Sequence, residues 1–350
     1  MNITILGSGS WGSALAKVLS DNQHQVTIWG IDPHVVDEIN HQHTNSHYLK
    51  DFKLNDEIKA TGNLEEAVAK ADVILFAVPT QAIRKVAQQI NILLVKKEAK
   101  PLIIHVSKGL EQSSHLRISQ VIQESIDPAF YKGIVVLSGP SHAEEVARED
   151  LTTVTAASDF LALAEIVQDL FMNHYFRVYT NTDVIGVELG AALKNIIALG
   201  AGILHGLGYG DNAKAALITR GLAEISRLGV RLGADPLTFL GLSGVGDLIV
   251  TCTSPHSRNW QAGNLLAKGL TVQEVTEEVQ MVVEGIFTCR AAYELSQQYR
   301  VEMPITNGLY QVLYQGADVK EEVVQLMTRS GKQEASLAQH NENVNAEKGK

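Results

Sequence analysis

Apolar residues in the first half of the chain fall in short runs, and each run is followed by a turn and by a segment of helical spacing. Such runs predict strands at Ile3–Leu6, Gln25–Trp29, Val73–Val78, Leu102–Val106, Ile134–Leu137, Thr152–Ala157 and Phe176–Tyr179. Strands that alternate with helices are typical of α/β proteins. The pattern therefore predicts a parallel, doubly wound sheet of the Rossmann type.

The pattern changes after residue 182. From about Asp183 the strand signal stops, and long helical patterns continue through Leu326. We expect an α/β domain over 1–182 and an all-helical domain over 183–330. Residues 331–350 are polar and lack large apolar side chains after Leu337, which predicts a disordered tail.

The stretch Gly186–Gly206 is apolar almost all round, with Glu188, Lys194 and Asn195 as its exceptions. A helix of this kind is buried, and helical spacing puts Lys194 in a stripe of small residues. A buried lysine that a ligand can approach is a candidate acid/base group, because burial lowers its pKa. The alternative is a lysine that reaches out to solvent. A membrane span is disfavoured by the polar residues and by the absence of aromatic or basic flanks.

A glycine-rich turn follows the first predicted strand. Gly7, Gly9 and Gly12 form a G-x-G-x-x-G pattern between that strand and a helix, which is the context of a dinucleotide-binding turn. The phosphates are then expected on the backbone N–H groups near Ser10 and Trp11, at the positive end of the helix.

The end of the second strand bears on the cofactor. NAD-selective folds carry a carboxylate there that holds the ribose hydroxyls. This chain has Gly30 near that position, and Asp32 comes slightly late. NADPH is therefore favoured, with NADH left open.

Further polar residues stand where ligands bind in such proteins. Lys108 and the turn Gly139–Ser141 follow predicted strands, and ligands bind beyond strand ends. In the second half, Asp247 stands among glycines, and Ser257 precedes a helical run. If Ser257 caps that helix, Arg258 and Asn259 lie at its positive N-terminal end, which suits a phosphate. The alternative for each is a solvated lysine, a turn residue or a surface ion pair.

Composition narrows the class of protein. The chain has 350 residues, of which 45% are hydrophobic and 19% charged, and its formal net charge is −10. This charge argues against nucleic acid or an anionic membrane as the main partner. Two cysteines cannot form a disulfide framework, no signal peptide precedes the first strand, and the histidines lack metal-site spacing. We expect a cytoplasmic protein without a metal.

Several motifs together resemble bacterial NAD(P)-dependent glycerol-3-phosphate dehydrogenases, from the glycine turn to about Leu326. They are GSGSWG at 7–12, SKGLE at 107–111, SGPSHAEE at 138–145, GVELGAALKNIIALGAG at 186–202, NAKAALITRGLAE at 212–224, GLSGVGDLIVTCTSPHSRN at 241–259 and VVEG at 282–285. Many members of that family carry a basic residue or histidine where this chain has Ile31.

The resemblance implies a Rossmann domain, a helical domain and the reversible reduction of dihydroxyacetone phosphate to sn-glycerol 3-phosphate. It implies Lys194 as general acid/base, with Asp247 beside it. The substrate-binding set implied is Lys108, Gly139, Ser141, Lys194, Asn195, Asp247, Thr251, Ser257, Arg258 and Asn259. The cofactor-binding set is Gly7, Gly9, Ser10, Trp11, Gly12, Lys108, Ala143, Arg258, Val282 and Glu284. A homodimer and a role in phospholipid synthesis are also implied.

Two other functions stay open from the residues alone. A related two-domain dehydrogenase for hydroxyacids would need a carboxylate-binding site and has no need of the segment 254–259. A dinucleotide-binding sensor would bind the cofactor without turnover and would give no reason for Lys194 and Asp247 in apolar surroundings.

Overall fold

The computed structural model describes residues 1–95, 100–279, 281–331 and 333–334 of the chain. Its strands are β1 (Asn2–Leu6), β2 (Gln25–Trp29), β3 (Thr44–Asn45), β4 (Leu49–Lys53), β5 (Lys59–Thr61), β6 (Val73–Phe76), β7 (Leu102–His105), β8 (Ile134–Ser138), β9 (Thr152–Ala157) and β10 (Phe176–Asn181). Each strand predicted from the sequence is present, with ends within about two residues. The predicted disorder of the tail falls mostly on residues outside those that the structure describes.

Eight of these strands form one sheet in the order β10-β9-β8-β7-β6-β1-β2-β5. The chain leaves β1 toward β2 on one side and later returns to β6 on the other. The crevice between β1 and β6 is thus the switch point at which doubly wound sheets bind ligands. Apolar side chains cover both faces of the sheet in two large clusters, which is the pattern expected of a parallel sheet with helices on both sides.

The prediction of a wholly parallel sheet is wrong at one pair. β8 and β9 are antiparallel, with Val136 opposite Ala157 and Ser138 opposite Thr155. The connection between them contains only the short helix Ala143–Ala147. A helix of that length rises about 7–8 Å, which is too little to carry the chain back along a whole strand. β9 therefore starts at the end of the sheet where β8 stops.

The sequence pattern did not indicate three short strands between residues 44 and 61. β3 and β4 form an antiparallel hairpin beside the sheet, and β5 extends the sheet next to β2. These strands have two to five residues, which is too short for a clear alternation of apolar and polar positions.

The helices are α1 (Ser10–Asp21), α2 (Pro33–Gln42), α3 (Leu64–Val68), α4 (Ile83–Leu94), α5 (Ile118–Ser125), α6 (Ala143–Ala147), α7 (Leu161–Phe171), α8 (Val184–Gly206), α9 (Asp211–Arg231), α10 (Asp247–Thr253), α11 (Arg258–Ala267), α12 (Val272–Val279), α13 (Glu284–Tyr299), α14 (Pro304–Gln315) and α15 (Val319–Met327). All elements described after residue 182 are helical. The division into domains at that residue stays a prediction.

Helix α8 is the centre of the second half. It is long and apolar enough to cross a membrane by length and composition, but 94% of its most apolar window is buried within the protein. Close packing depends on its glycines, since a Cβ at Gly202 would lie 2.0 Å from the Trp260 carbonyl oxygen. The neighbouring helices thereby enclose α8, and its polar side chains are held inside the protein.

Candidate active site

The glycine turn has the geometry that its sequence predicts. Gly7 has φ +125°, and a Cβ there would lie 2.7 Å from the Ala77 carbonyl oxygen. A Cβ at Gly12 would lie 2.1 Å from the Gly7 carbonyl oxygen, whereas nothing lies within 4 Å of one at Gly9. The first and third glycines therefore allow tight packing, and the second leaves open space for a ligand.

The helix after this turn presents free donors to that space. Gly9 is the N-cap of α1 and has no side chain to cap it, so the first N–H groups, at Ser10 and Trp11, have no side-chain cap among the residues that the structure describes. Trp11 Nε1 is buried and has no hydrogen-bond partner among the described residues. The open cradle, the uncapped helix end and this unpartnered donor fit a dinucleotide pyrophosphate.

Asn45, in strand β3, supports the turn and was not identified from the sequence. Its side chain is buried and donates to the Ser8 carbonyl oxygen and to Ser13 Oγ, both at 2.8 Å. An asparagine in a short irregular segment gives no sequence signal of such a role.

A cavity of about 240 Å³ lies at the end of β2, lined by Gly30, Ile31, Pro33, Val36, Asp37, Asn40 and Gly62. Asp32 does not stand free beside it, because Asp32 Oδ1 accepts a hydrogen bond from the His34 N–H at 2.8 Å as the cap of α2. Ile31 is 85% exposed. The carboxylate that comes late in the sequence is thus engaged in capping a helix.

Two lysines from different halves of the chain meet one buried carboxylate. Lys194 Nζ donates to Asp247 Oδ1 at 2.6 Å and to Thr251 Oγ1 at 2.6 Å. Lys108 Nζ donates to Asp247 Oδ2 at 2.8 Å and to the Gly139 carbonyl oxygen at 2.9 Å. Lys194 is 5% exposed and Asp247 1%. The predicted buried lysine and aspartate therefore form a pair, and Lys108 completes it.

The surroundings of this cluster alter its protonation. Burial lowers the pKa of Lys194 to about 8, although the Asp247 carboxylate acts in the opposite direction and Lys108 adds to the lowering. Burial alone would raise the pKa of Asp247, but the two ammonium groups lower it. Lys194 can therefore gain or lose a proton near neutral pH while Asp247 stays ionised, which suits general acid/base chemistry.

Two asparagines join this cluster to the start of α13. Asn195 Nδ2 donates to the Lys108 carbonyl oxygen at 2.8 Å, and Asn259 Nδ2 donates to Asn195 Oδ1 at 2.9 Å. Asn259 Oδ1 accepts from the Gly285 N–H at 2.8 Å. The expectation that the Asn259 side chain holds a phosphate directly is weakened, since its oxygen and one of its protons are already bound by the protein.

The start of α11 has the predicted cap. Ser257 is the N-cap, and its Oγ accepts from the Trp260 N–H at 3.4 Å. Arg258 Nη1 donates to the Val282 carbonyl oxygen at 3.2 Å. A guanidinium and a helix N-terminus thus lie together, as a phosphate site requires.

Glu284 connects the two halves of the chain at the first turn of α13. Its Oε1 accepts from the Thr80 N–H at 3.1 Å, and its Oε2 is buried with no hydrogen-bond partner among the described residues. Burial raises the pKa of this carboxyl, against the opposing effects of Thr80 and Arg258. Thr80 lies just after β6, in the segment against which Gly7 packs. Glu284 therefore lies close to the switch point of the sheet.

The loop after β8 contributes the remaining predicted residues. Gly139 has φ +150°, and Ser141 Oγ donates back to the Gly139 carbonyl oxygen at 2.9 Å. Ala143 is buried at the start of α6. Ser141 thereby stabilises the loop whose carbonyl group holds Lys108.

Glu188, a polar exception in the apolar sequence of α8, has a structural role that the sequence did not indicate. Ser119 donates to it from its N–H and its Oγ, both at 2.7 Å, and Arg117 Nη1 donates to its Oε2. His105 Nε2 lies 3.1 Å from its Oε1. Burial alone would raise the pKa of Glu188, but His105, Arg117 and Ser119 lower it to about 2. This carboxylate fastens α8 to the sheet half of the chain.

No group of three or more histidine, cysteine, aspartate or glutamate side chains that could hold a metal occurs within the described ranges.

Comparisons with known proteins agree with this arrangement. Residues 2–164 match the family model of the NAD-dependent glycerol-3-phosphate dehydrogenase N-terminus, and residues 183–324 match that of its C-terminus. The chain is 62% identical over 334 residues to glycerol-3-phosphate dehydrogenase [NAD(P)+] of Latilactobacillus sakei, covering 95% of this chain and 98% of the relative. It is 63% identical over 332 residues to that of Enterococcus faecalis, covering 95% and 97%.

A solved structure gives the same result. Glycerol-3-phosphate dehydrogenase from Coxiella burnetii superposes with a TM-score of 0.88 at 36% identity, covering 94% of this chain and 99% of that one. Both halves of the chain match a family model, and both relatives are far above 30% identity over almost their whole length. The chain belongs to the NAD-dependent glycerol-3-phosphate dehydrogenase family.

Proposed function

We propose that the protein catalyses the reversible NAD(P)H-dependent reduction of dihydroxyacetone phosphate to sn-glycerol 3-phosphate. The observation that carries this proposal is the buried Lys194 ammonium, which is bound to Asp247 beside the loop of Lys108. The family relatives are named for this substrate and cofactor. A hydroxyacid dehydrogenase would need a carboxylate-binding site in place of the helix start at Arg258.

The cofactor is NADH or NADPH, and when bound it supplies a hydride to the ketone carbon. We propose that the uncapped N–H groups of Ser10 and Trp11 bind its pyrophosphate over Gly9. Lys108, Ala143, Arg258, Val282 and Glu284 stay proposed cofactor-binding residues.

Lys194 is the proposed general acid in the reduction. Charge develops on the ketone oxygen as the carbonyl is reduced, and the Lys194 ammonium can donate a hydrogen bond and then a proton to that oxygen. Asp247 keeps Lys194 oriented and favours its charged form, while burial brings its pKa to about 8. In the oxidation the neutral amine takes the proton back from the alcohol.

The phosphate of the substrate is proposed to bind at the start of α11. Arg258 offers a guanidinium, and the backbone N–H groups of Arg258 and Asn259 lie at the positive end of the helix. We assign the Asn259 side chain to positioning, because it bridges Asn195 and Gly285. Binding of the phosphate away from the reacting carbon then helps to position the carbonyl group.

Five finer points remain proposals. NADPH is the preferred cofactor, which is supported by Gly30 at the end of β2 and by the use of Asp32 as a helix cap. The family resemblance supports a homodimer and a role in supplying glycerol phosphate for phospholipids. The change from strands to helices supports the domain division at residue 182, and the cytoplasmic location stays the expectation drawn from the sequence. Sedimentation velocity tests the dimer, and the ratio of kcat/KM for NADPH and NADH tests the preference.

The reaction itself is tested by product analysis. Purified protein is incubated with NADPH and dihydroxyacetone phosphate, and in parallel with NADPH and a set of 2-keto acids. Formation of sn-glycerol 3-phosphate in amounts equal to the NADPH consumed supports the proposal. Turnover of a keto acid without turnover of the phosphate ester would contradict it.

A further inference from the structure

His142 is a partly buried residue beside the candidate active site, and the mechanism proposed above gives it no role. It stands directly before α6 as its N-cap residue, with extended backbone angles and no side-chain hydrogen bond to the helix. The loop that carries it also carries Gly139, whose carbonyl oxygen binds Lys108 Nζ at 2.9 Å. Pro140 of the same loop lies 3.7 Å from the position of a Cβ at Gly246. His142 therefore lies on a loop that packs against the residues around Asp247.

The ring presents an unused nitrogen. His142 Nε2 is buried and has no hydrogen-bond partner among the residues that the structure describes. A buried polar atom without a partner costs free energy, so a ligand group that reaches this nitrogen would gain a hydrogen bond. The ring is not needed as a cap for α6, so capping does not explain this histidine.

The charged groups around His142 determine the protonation state of its ring. The charged and titratable groups that act on it from the elements around it are Glu144 and Glu145 of α6, Lys194 of α8, Lys108 after β7, and the ring of His256 at a centroid distance of 6.4 Å. Burial lowers the pKa of His142, and the two lysines lower it further against the two glutamates. The ring is thus neutral at pH 7 and can make a hydrogen bond without adding charge.

We propose that His142 is a further substrate-binding residue, whose Nε2 hydrogen-bonds the free hydroxymethyl group of dihydroxyacetone phosphate. The proposal rests on the proposed function, in which Lys194 acts on the ketone oxygen and Arg258 holds the phosphate. The hydroxymethyl group is the remaining polar part of the substrate and is bonded directly to the ketone carbon. The loop of His142 holds Lys108 through the Gly139 carbonyl oxygen, and Lys108 shares Asp247 with Lys194. We therefore place the ring at the end of the molecule where Lys194 acts.

The test removes the proposed hydrogen bond either by changing the substrate or by changing His142. The substrates are dihydroxyacetone phosphate and acetol phosphate, in which a methyl group replaces the hydroxymethyl group. The proteins are wild type, His142→Phe, His142→Gln and the control His256→Phe, which alters the neighbouring exposed ring. The measured quantity is the ratio of kcat/KM for the two substrates, followed by NADPH oxidation.

The wild type should prefer dihydroxyacetone phosphate, and His142→Phe should lower that ratio by about two- to tenfold, the worth of one neutral hydrogen bond. The kcat/KM for acetol phosphate should stay close to the wild-type value. His142→Gln should fall between the two, and His256→Phe should keep the wild-type ratio. The glutamine variant keeps the test decisive where phenylalanine impairs folding, because it retains hydrogen-bonding groups.

An equal loss with both substrates in His142→Phe and His142→Gln would overturn the proposal, because it would mean that the ring only supports the loop. An unchanged ratio in both variants would overturn it as well. Wild-type protein that reduces neither ketone would overturn the proposed function itself, and this outcome is distinct from the other two.

Discussion

The pH dependence of ketone reduction should follow the protonation of Lys194. Burial lowers the pKa of Lys194 to about 8, and reduction needs its ammonium form. About nine-tenths of the enzyme carries that form at pH 7 and about one-tenth at pH 9, so kcat for reduction should fall about tenfold between them. Oxidation of glycerol 3-phosphate needs the neutral amine, and its kcat should rise over the same interval.

Asp247→Asn tests whether the protonation of Lys194 causes this pH dependence. The Asp247 carboxylate raises the pKa of Lys194 against burial, and the amide removes that charge. The midpoint of the alkaline limb should therefore move below 8, and kcat at pH 7 should fall. Asp211→Asn is the matched control, because the Asp211 side chain is fully exposed at the start of α9.

The assay is the initial rate of NADPH oxidation with saturating dihydroxyacetone phosphate from pH 6 to pH 10, for wild type and both variants. The limb belongs to coupled groups, so its midpoint is an apparent pKa of the cluster. A wild-type rate that stays flat to pH 10, or a limb that Asp247→Asn leaves unmoved, would refute the assignment of Lys194 as the acid.

Three further predictions concern the phosphate, the glycine turn and the buried anchor. Arg258→Ala should raise KM for dihydroxyacetone phosphate about tenfold or more, since it removes a charged hydrogen-bond donor. An unaltered KM, as expected of the surface control Arg290→Ala, would contradict the site. Gly9→Ala should weaken NADPH binding about tenfold in a fluorescence titration and leave the free energy of unfolding unchanged, because the space above Gly9 is open. Gly12→Ala should lower the free energy of unfolding by about 1–3 kcal/mol, because a Cβ there would clash with the Gly7 carbonyl oxygen. The reverse pattern would be incompatible with the turn. The Glu188 carboxyl has a pKa of about 2 in the folded protein, against an ordinary value of 4.5. It should therefore contribute about 3 kcal/mol to the free energy of unfolding above pH 4.5, and this contribution is lost as the pH falls toward 2. In urea unfolding, Glu188→Gln should lack this pH-dependent loss, whereas the control Glu165→Gln, on an exposed face of α7, should keep it.

The sequence predicts those parts of the fold that depend on local pattern. Long apolar runs with flanking turns identified the strands of the central sheet, and α8 was identified as a buried helix from its composition. The reversed direction of β9 was not predicted, because it depends on the length of the connection through α6 and not on the strand itself. The strands between residues 44 and 61 have only two to five residues, which are too few positions for a period to be recognised.

Candidate site residues could be selected one by one from the sequence, but the contacts among them could not be predicted. Lys194 and Asp247 were each unusual in apolar surroundings, and the motif resemblance brought them together. The contact of Lys108 with Asp247 joins residues 139 positions apart, and no local pattern encodes such a contact. Asn45 and Glu188 act through hydrogen bonds to distant segments for the same reason, and the engagement of Asn259 with Asn195 depends on the packing of α11 on α8.

In the proposed mechanism NADPH reduces the ketone of a phosphorylated substrate, and the buried Lys194 donates the proton to the ketone oxygen. The most direct measurement is NADPH oxidation with dihydroxyacetone phosphate and with dihydroxyacetone, by wild type and by Lys194→Ala, with NADPH binding measured in parallel by fluorescence. We expect turnover of the phosphate ester by the wild type, a loss of about a hundredfold or more in kcat in the variant, and unchanged NADPH binding. Tight NADPH binding without turnover of either ketone by the wild type, or full activity in Lys194→Ala, would contradict this mechanism.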